Sequence, residues 1–398
     1  MKIRDGRLCA VSILVASLAL AGCEGSEVAP SAPSVEPGDH VPGLSDEERG
    51  RFLTGRALFD RLATQDEGLG PLFNAERCVD CHDSPSSGGA GTQILVLKAT
   101  RFVDGRCDAL REAGGDNIQL QATDLLVAHG LGPETIPEEA TDSMYVIAPP
   151  LYGLGLIESV PDSVLERLAD PDDRDGDGIS GRLPRLADGR SARFGRKGDA
   201  SDVAGFVDTA LRFELGLTTP DNPVEESVNG MPLPEGADPM PEPEMDAQGF
   251  GLLTDYVRFL GAPAPETVTG ADAEVVRRGE ELFDEVGCAT CHVAELTTGA
   301  ADAEALSFQT LRLYSDLLVH DLGNSEGDVC GADVAPGEFR TTPLWGLRHR
   351  DRYMNDGNAT DLDASISAHG GEAAESRDAY QQLSAEGQTA LLRFLASL

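Results

Sequence analysis

The chain has 398 residues, 40% of them hydrophobic, which exceeds the needs of one compact domain and predicts two. It carries 31 lysine and arginine residues against 69 aspartate and glutamate residues, a formal net charge of -38. Because like charges repel, this balance argues against nucleic acids and anionic lipid surfaces as partners. A basic protein partner or bound cations would complement the charge, and an acidic surface that only keeps a secreted protein soluble is the simpler alternative.

Residues 1–22 have the pattern of an export signal. Three basic residues precede an apolar run over residues 8–22, which at 15 residues is too short to span a bilayer. The run leads into Leu-Ala-Gly-Cys23, which resembles the bacterial lipobox, where the cysteine is acylated. We therefore expect a periplasm-facing lipoprotein of the bacterial outer membrane, because Glu24 rather than aspartate follows, with a plain secreted protein as the alternative. The lipid would be the only membrane anchor, and residues 23–43, rich in Pro, Ser and Gly, predict a disordered tether.

The motif Cys-x-x-Cys-His occurs twice, as Cys78, Cys81 and His82 and again as Cys288, Cys291 and His292. Two cysteines at this spacing can form thioether bonds with the two vinyl groups of haem, and the histidine is then placed as an axial ligand of the iron. A zinc site built from two Cys-x-x-Cys pairs and a redox dithiol are the alternatives, but both usually lack the trailing histidine. We therefore predict two covalently bound c-type haems.

A helix is predicted before each motif and at the end of each half. Residues 45–62 begin with a Ser-x-x-Glu capping box and continue as Gly-x-x-Leu-Phe, and residues 269–286 repeat the second pattern. Closing helices are predicted around 257–260 and 392–395. Helix, haem motif, loops and closing helix is the order of a cytochrome c domain. We therefore predict an all-α fold of two tandem cytochrome c-like domains with long loops.

Two further blocks repeat in the same order, which favours an internal duplication. Residues 124–132 match 316–323, and Pro-Leu-Tyr-Gly-Leu at 150–154 matches Pro-Leu-Trp-Gly-Leu at 343–347. Pro and Gly cluster between the two halves, as expected of a boundary. The predicted N-terminal haem domain spans 44–262, and the predicted C-terminal haem domain spans 270–398.

The halves differ after these blocks. His369 follows Trp345 by 24 residues, and the residue at the same spacing in the first half is Gly176, which cannot bind iron. We therefore expect His369 to be the sixth ligand of the second haem, which would relay electrons. The first haem would stay open to a small oxidant.

The first half instead carries an acidic loop. Asp173, Asp175 and Asp177 alternate with other residues and are followed by glycine, which resembles a Ca²⁺-binding loop. Pro184 stands where the twelfth-position glutamate of such a loop is expected. Asx-turns on an acidic surface are the equal alternative.

These blocks together resemble the di-haem oxidoreductase family, also labelled thiol oxidoreductases or peroxidases, which are relatives of bacterial di-haem cytochrome c peroxidases. The resemblance runs from about Leu44 to Leu398 and rests also on blocks at 68–75, 148–158 and 340–345. In the peroxidase relatives a methionine, and in the methylamine-utilisation enzyme a tyrosine, aligns with His369. Asn355 stands where the family commonly has histidine, and Trp345, the one tryptophan, does not map to the tryptophan that bridges the haems of the relatives.

The resemblance implies an oxidoreductase in which the second haem accepts electrons from a donor and passes them to the first, where peroxide is reduced. The relatives use a distal glutamate, and Glu158 is the candidate here, with a structural ion pair as the alternative. The donor would be a cytochrome or cupredoxin, and a basic one, given the charge. A pure electron-transfer cytochrome and a haem enzyme that oxidises a protein side chain or a thiol are the competing functions.

Three further side chains stay ambiguous in the sequence. His129 could ligate the first haem or lie in a loop, and His320 has the same ambiguity near the second haem. Cys9 belongs to the predicted signal peptide, so Cys107 and Cys330 are the cysteines left over. A disulfide between them would fit an oxidising compartment, although no pattern shows that they meet.

Overall fold

The computed structural model describes residues 35–93, 96–104, 106–323, 329–331 and 333–398. The predicted signal peptide, Cys23 and the first part of the predicted tether lie outside these ranges. No helix within them is long and apolar enough to cross a membrane.

The helices of the described residues fall into two groups, one in each half of the chain. Those of the first half are α1 (Asp46–Phe59), α2 (Cys78–Cys81), α3 (Asp124–Ala128), α4 (Leu154–Glu158), α5 (Asp162–Leu168), α6 (Val203–Glu214) and α7 (Ala247–Phe259). Those of the second half are α8 (Gly270–Glu285), α9 (Leu362–Ser367), α10 (Ala374–Gln381) and α11 (Ala385–Leu395). The helices predicted before each motif and at the end of each half are therefore present as α1, α7, α8 and α11.

Short strands occupy much of the chain between these helices. They are β1 (Leu72–Phe73), β2 (Val96–Val103), β3 (Arg106–Asp108), β4 (Asp116–Ile118), β5 (Gln121–Ala122), β6 (Asp142–Val146), β7 (Leu296–Thr297), β8 (Thr310–Leu311), β9 (Val319–Asp321) and β10 (Glu338–Arg340). Strand β2 pairs antiparallel with β3, β4 and β6, and three two-stranded sheets join β1 to β5, β7 to β8 and β9 to β10.

The prediction of an all-α fold is wrong. The described residues are 34% helical and 14% strand, with the strands in several small sheets. The sequence analysis treated the segments between the predicted helices as loops. The longest strand, β2, contains Val, Thr and Phe, which favour strands, but two of its three partners, β4 and β6, lie further along the chain. Short strands are stabilised by pairing with other segments, so the sequence of each strand alone shows little of a β pattern.

Each half is built on a pair of closely packed helices. A Cβ atom at Gly55 of α1 would overlap the backbone of α7 at Leu252, and a Cβ atom at Gly279 of α8 would overlap the backbone of α11 at Ala390. Glycine therefore lets the helix backbones approach at the same place in both halves. Gly55 and Gly279 are the first residues of the repeated Gly-x-x-Leu-Phe pattern, so the structure supports the duplication.

The two halves share a core. The larger cluster of buried apolar side chains contains residues of the first half together with Leu296, Leu313 and Trp345 of the second. Trp345 packs on the first half so closely that a Cβ atom at Gly153 would lie 2.5 Å from its ring. In the second half, a Cβ atom at Gly346 would lie 3.7 Å from the ring of Tyr152. The repeated Pro-Leu-aromatic-Gly blocks therefore face one another.

Two further connections join distant segments. Residues 35–43, which the sequence assigns to the tether, lie against the end of α7, where His40 pairs with Leu260 and Val41 is 3% exposed. These residues are part of the folded chain. Cys107 on β3 forms a disulfide with Cys330, 223 residues later in the sequence.

Candidate haem sites

The first haem motif lines a cavity of about 650 Å³. Cys78, Cys81 and His82 all contribute to its wall, beneath Phe59 of α1. His82 donates a hydrogen bond from Nδ1 to the carbonyl oxygen of Gly89 at 3.1 Å, which fixes the ring orientation and the tautomer. Burial lowers the pKa of His82 to about 4, so the imidazole is neutral, the form that binds a metal ion.

The second haem motif lines a separate cavity of about 220 Å³. Cys288, Cys291 and His292 contribute to its wall. Nδ1 of His292 donates a hydrogen bond to the carbonyl oxygen of Tyr314 at 2.9 Å, and burial lowers the pKa of His292 to about 4. Both motif histidines are therefore neutral and held by a backbone carbonyl oxygen, although the two carbonyl groups lie at different positions of the two halves.

These donor sets fit haem better than zinc. The four motif cysteines are free and lie in two cavities, so they do not form one tetrahedral site. The side-chain groups of the described residues that come close enough to share a metal ion are acidic instead. Burial raises the pKa of Cys78, Cys81 and Cys288 to about 12, which disfavours the thiolate that a redox dithiol or a zinc site requires.

His369, the predicted sixth ligand, lines the same cavity as His292. Its Nδ1 donates a hydrogen bond to the carbonyl oxygen of Ser365 at 2.8 Å, which leaves Nε2 available to a metal ion. Burial lowers the pKa of His369, so the ring is neutral. The structure thus brings both predicted ligands of the second iron to one site, and ligation by His369 stays a prediction.

Met354 also lines the second cavity, and the sequence analysis missed it. Its sulfur lies 3.6 Å from the hydroxyl oxygen of Ser365, on the helix that precedes His369. Its backbone has a φ of 63°, which is unusual for a side chain of this size and often marks a functional position. Met354 is therefore a second candidate for the sixth ligand.

His320 lines the second cavity as well, but both of its nitrogens are engaged. Nε2 lies 2.8 Å from a carboxylate oxygen of Asp316, and Nδ1 lies 3.0 Å from one of Glu372. Burial alone would lower the pKa of His320, but these hydrogen bonds raise it to about 12. These contacts favour the protonated ring and engage both nitrogens, which argues against His320 as an iron ligand. Because Glu372 follows His369 by three residues, the network also fixes the segment that carries His369.

His129 and Glu158 are both remote from the cavity linings. His129 caps α3 and is exposed, as expected of a loop residue. Glu158 ends α4, where one carboxylate oxygen lies 2.7 Å from Nε of Arg258 and the other accepts a hydrogen bond from the backbone of Val203 at 2.8 Å. Both oxygens serve the packing of helices, which favours the structural ion pair over a catalytic role for Glu158.

The first cavity contains other ionisable groups, which the sequence analysis missed. Asp199 faces the cavity, and burial raises its pKa to about 6. Burial also raises the pKa of Glu214, which accepts hydrogen bonds from Asn74 at 3.0 Å and Asn117 at 2.7 Å. Arg196 lines both this cavity and the second. These residues follow no motif, so nothing in the sequence distinguishes them from other charged side chains.

The acidic loop has features of both predicted alternatives. Carboxylate oxygens of Asp173, Asp175 and Asp177 all lie within 4.8 Å of one another, as a Ca²⁺ site requires. The same side chains accept hydrogen bonds from nearby backbone amides, as in Asx-turns. A second group, which the sequence analysis missed, consists of Glu225, Asp238, Glu242 and Glu244.

Comparison with known proteins identifies the family. A family model described as "Di-haem oxidoreductase, putative peroxidase" matches residues 141–398. No curated protein sequence matches the chain. Hydrazine synthase of Kuenenia stuttgartiensis is 14% identical over 99% of this chain and 100% of its own, with a TM-score of 0.41. A MauG-like protein associated with microbial copper homeostasis is 15% identical over 92% of this chain and 93% of its own, with a TM-score of 0.39. These two scores are too low to support an argument.

The family match covers more than half of the chain. It includes the second haem motif, both repeated Pro-Leu-aromatic-Gly blocks and His369. The chain therefore belongs to the di-haem oxidoreductase family.

Proposed function

We propose that this protein is an exported di-haem c-type cytochrome that reduces peroxide in the first cavity with electrons that enter through the second. The difference between the cavities carries the proposal. The second holds His369 and Met354 besides His292, whereas the described lining of the first has no methionine and no histidine besides His82. A haem with protein ligands on both faces relays electrons, and one with an open face can bind a small oxidant.

The ionisable side chains of the first cavity support the reduction of peroxide there. When bound, haem supplies the iron at which the oxygen–oxygen bond is reduced. Reduction of one peroxide to two waters consumes two electrons and two protons, so the cavity needs a group that moves protons. Asp199 suits this role because a pKa of about 6 lets it accept and return a proton near neutral pH.

The remaining parts of the proposal rest on the sequence. A donor that is a basic cytochrome or cupredoxin would be attracted by the net charge of -38. The pattern of residues 1–23 supports export and lipid attachment at the outer membrane. The spacing of Asp173, Asp175 and Asp177 supports a bound Ca²⁺.

Replacement of Asp199 by asparagine tests the proposal. A general base must be deprotonated, so the peroxidase rate of the wild type should fall as the pH drops below about 6. Asp199→Asn should lower kcat/KM for peroxide by about 100-fold or more and remove this limb of the pH profile. The measurement is the peroxide-dependent oxidation of a reduced small cytochrome, normalised to haem content.

Glu158→Gln is the matched control, because it makes the same change of carboxylate to amide outside the cavity. It should weaken the contact with Arg258 and lower stability, but leave the rate per haem unchanged. An Asp199→Asn protein with the wild-type rate and pH profile would exclude Asp199 as the group that transfers protons to peroxide. A wild-type protein without peroxide turnover and without a high-spin haem would support the pure electron-transfer alternative.

A further inference from the structure

Three arginines at the second cavity form no salt bridge with a carboxylate of the described residues, although Asp199 lies near enough to Arg196 and Arg340 to favour their charged forms. Burial lowers the pKa of Arg196, Arg340 and Arg350 to about 10, so each guanidinium is poorly solvated. Their hydrogen bonds go to backbone carbonyl oxygens, from Arg196 to Ile147, from Arg340 to Gly195 at 2.8 Å and from Arg350 to Pro343 at 3.1 Å. Nε of Arg350 is buried without a hydrogen-bond partner.

Several other buried or half-buried arginines of this chain are paired with carboxylates, whereas Arg352 at the same cavity bonds, among the described residues, only the carbonyl oxygen of Gly357. Arg193 contacts Asp162, Arg258 lies 2.7 Å from Glu158, and Arg182 lies 2.6 Å from Glu338. A buried charge without a counterion is costly, which explains these pairs. The three buried arginines at the cavity lack such a contact, and a bound anion would supply it.

The positions of Arg196 and Arg340 make the need for an anion stronger. Arg196 lines both cavities, together with Ala148 and Pro149, and so forms part of the wall between them. The backbone amide of Arg340 donates to the carbonyl oxygen of Arg196 at 2.8 Å, and the charge of Arg196 contributes to the lowered pKa of Arg340. Two guanidinium groups thus lie close together in a region of low polarity. The strongest partner of a guanidinium is a carboxylate, which can accept two parallel hydrogen bonds.

We propose that these arginines bind the propionate carboxylates of the haems, with Arg340 and Arg350 serving the second haem and Arg196 serving both. The inference rests on the proposed function, because it requires a haem in each cavity. Each haem carries two propionates, so the ligand brings the negative charge that the arginines lack. Arg196 would then be a positioning residue whose charge acts on both irons, and it would link the two redox centres electrostatically.

Reduction potentials test this proposal in the full-length protein. Loss of a nearby cation favours Fe(III), so Arg196→Gln should lower the potentials of both haems, whereas Arg350→Gln should lower only that of the second. We expect at least a tenfold change in the Fe(III)/Fe(II) ratio at a fixed potential, which is 59 mV for a one-electron couple. The measurement is a spectroelectrochemical titration, with the haem content of each sample determined separately.

Three controls separate the possible outcomes. Arg174→Gln removes one exposed positive charge and should leave both potentials unchanged. Arg196→Lys keeps the positive charge, so the potentials of both haems should stay close to those of the wild type. Addition of phosphate to the wild type should leave both potentials unchanged, whereas a shift would show that the arginines bind a diffusible anion instead.

Failure of the inference differs from failure of the proposed function. An Arg196→Gln protein that keeps two haems and wild-type potentials would overturn the propionate assignment while leaving the di-haem proposal intact. If Arg196→Gln does not mature, the Arg350→Gln variant decides by the same criterion at the second haem. A wild-type protein that carries no haem would refute the proposed function itself.

Discussion

The second cavity contains two side chains that can bind the sixth position of an iron, His369 and Met354. The neutral ring of His369 is held by Ser365, and His320 and Glu372 fix the segment beside it. Met354 is held less closely, through one sulfur contact to Ser365. The better-supported position of the imidazole favours His369 as the ligand.

Replacement of His369 by alanine should therefore convert one of the two haems from low spin to high spin and raise its potential, because a strong donor to Fe(III) is lost. EPR spectra of the oxidised protein measure this change. Met354→Ala is the matched control within the same cavity and should leave both spin states unchanged. The opposite result, with an effect of Met354→Ala alone, would assign the sixth position to Met354.

The haem cofactors could be predicted at the level of residues because the five consecutive positions of each Cys-x-x-Cys-His motif carry the required chemistry, and covalent attachment stays a prediction. The role of Glu158 stays a prediction, but its carboxylate contacts Arg258, which favours the alternative of a structural ion pair. Asp199 and Arg196 could not be predicted, since the fold alone brings these isolated charged residues to the cavity wall.

At the scale of elements, each haem motif is covered by a pair of helices with the same aromatic contacts. In the first half, Phe59 lies 4.9 Å from Tyr256 and 6.1 Å from His82 between ring centroids. In the second half, Phe283 lies 5.5 Å from Phe394 and 6.2 Å from His292. The helix pair thus sets the position of the motif histidine, and its close approach depends on glycine.

Two glycines of α1 test this packing. Gly55→Ala should destabilise the protein by about 1–3 kcal/mol, because its Cβ would overlap α7. Gly50→Ala lies in the same helix, where a Cβ meets nothing within 4 Å, and should stabilise the protein by about 0.5–1 kcal/mol. Denaturant unfolding, followed by the far-ultraviolet circular dichroism signal, gives both values. Equal effects of the two substitutions would contradict the proposed role of Gly55.

The principal helices could be predicted because their signals are local. Ser45 and Glu48 form the capping box that the sequence indicates, with the backbone amide of Ser45 donating to Glu48 at 2.7 Å. The strands could not be predicted in the same way. Strand β2 pairs with β6 about 40 residues later, and such pairing depends on tertiary structure rather than on a nearby pattern.

At the scale of the whole molecule, the two halves depend on each other. Trp345 packs on Gly153, the disulfide joins Cys107 to Cys330, and Arg196 lines both cavities. The duplication could be predicted from the repeated blocks, but the shared core could not, because it arises from contacts between blocks rather than within them. This close association places the two cavities on either side of a common wall, as a short route for electrons requires.

The most direct test of a di-haem c-type cytochrome is mass spectrometry of peptides from the protein matured in a host that assembles c-type cytochromes. We predict that the peptides containing Cys78 with Cys81 and Cys288 with Cys291 each carry one haem, because thioether bonds survive denaturation and digestion. Cys78→Ala combined with Cys81→Ala should leave haem on the second peptide alone. Wild-type peptides with haem at only one motif, or at neither, would contradict the assignment of two covalently bound haems.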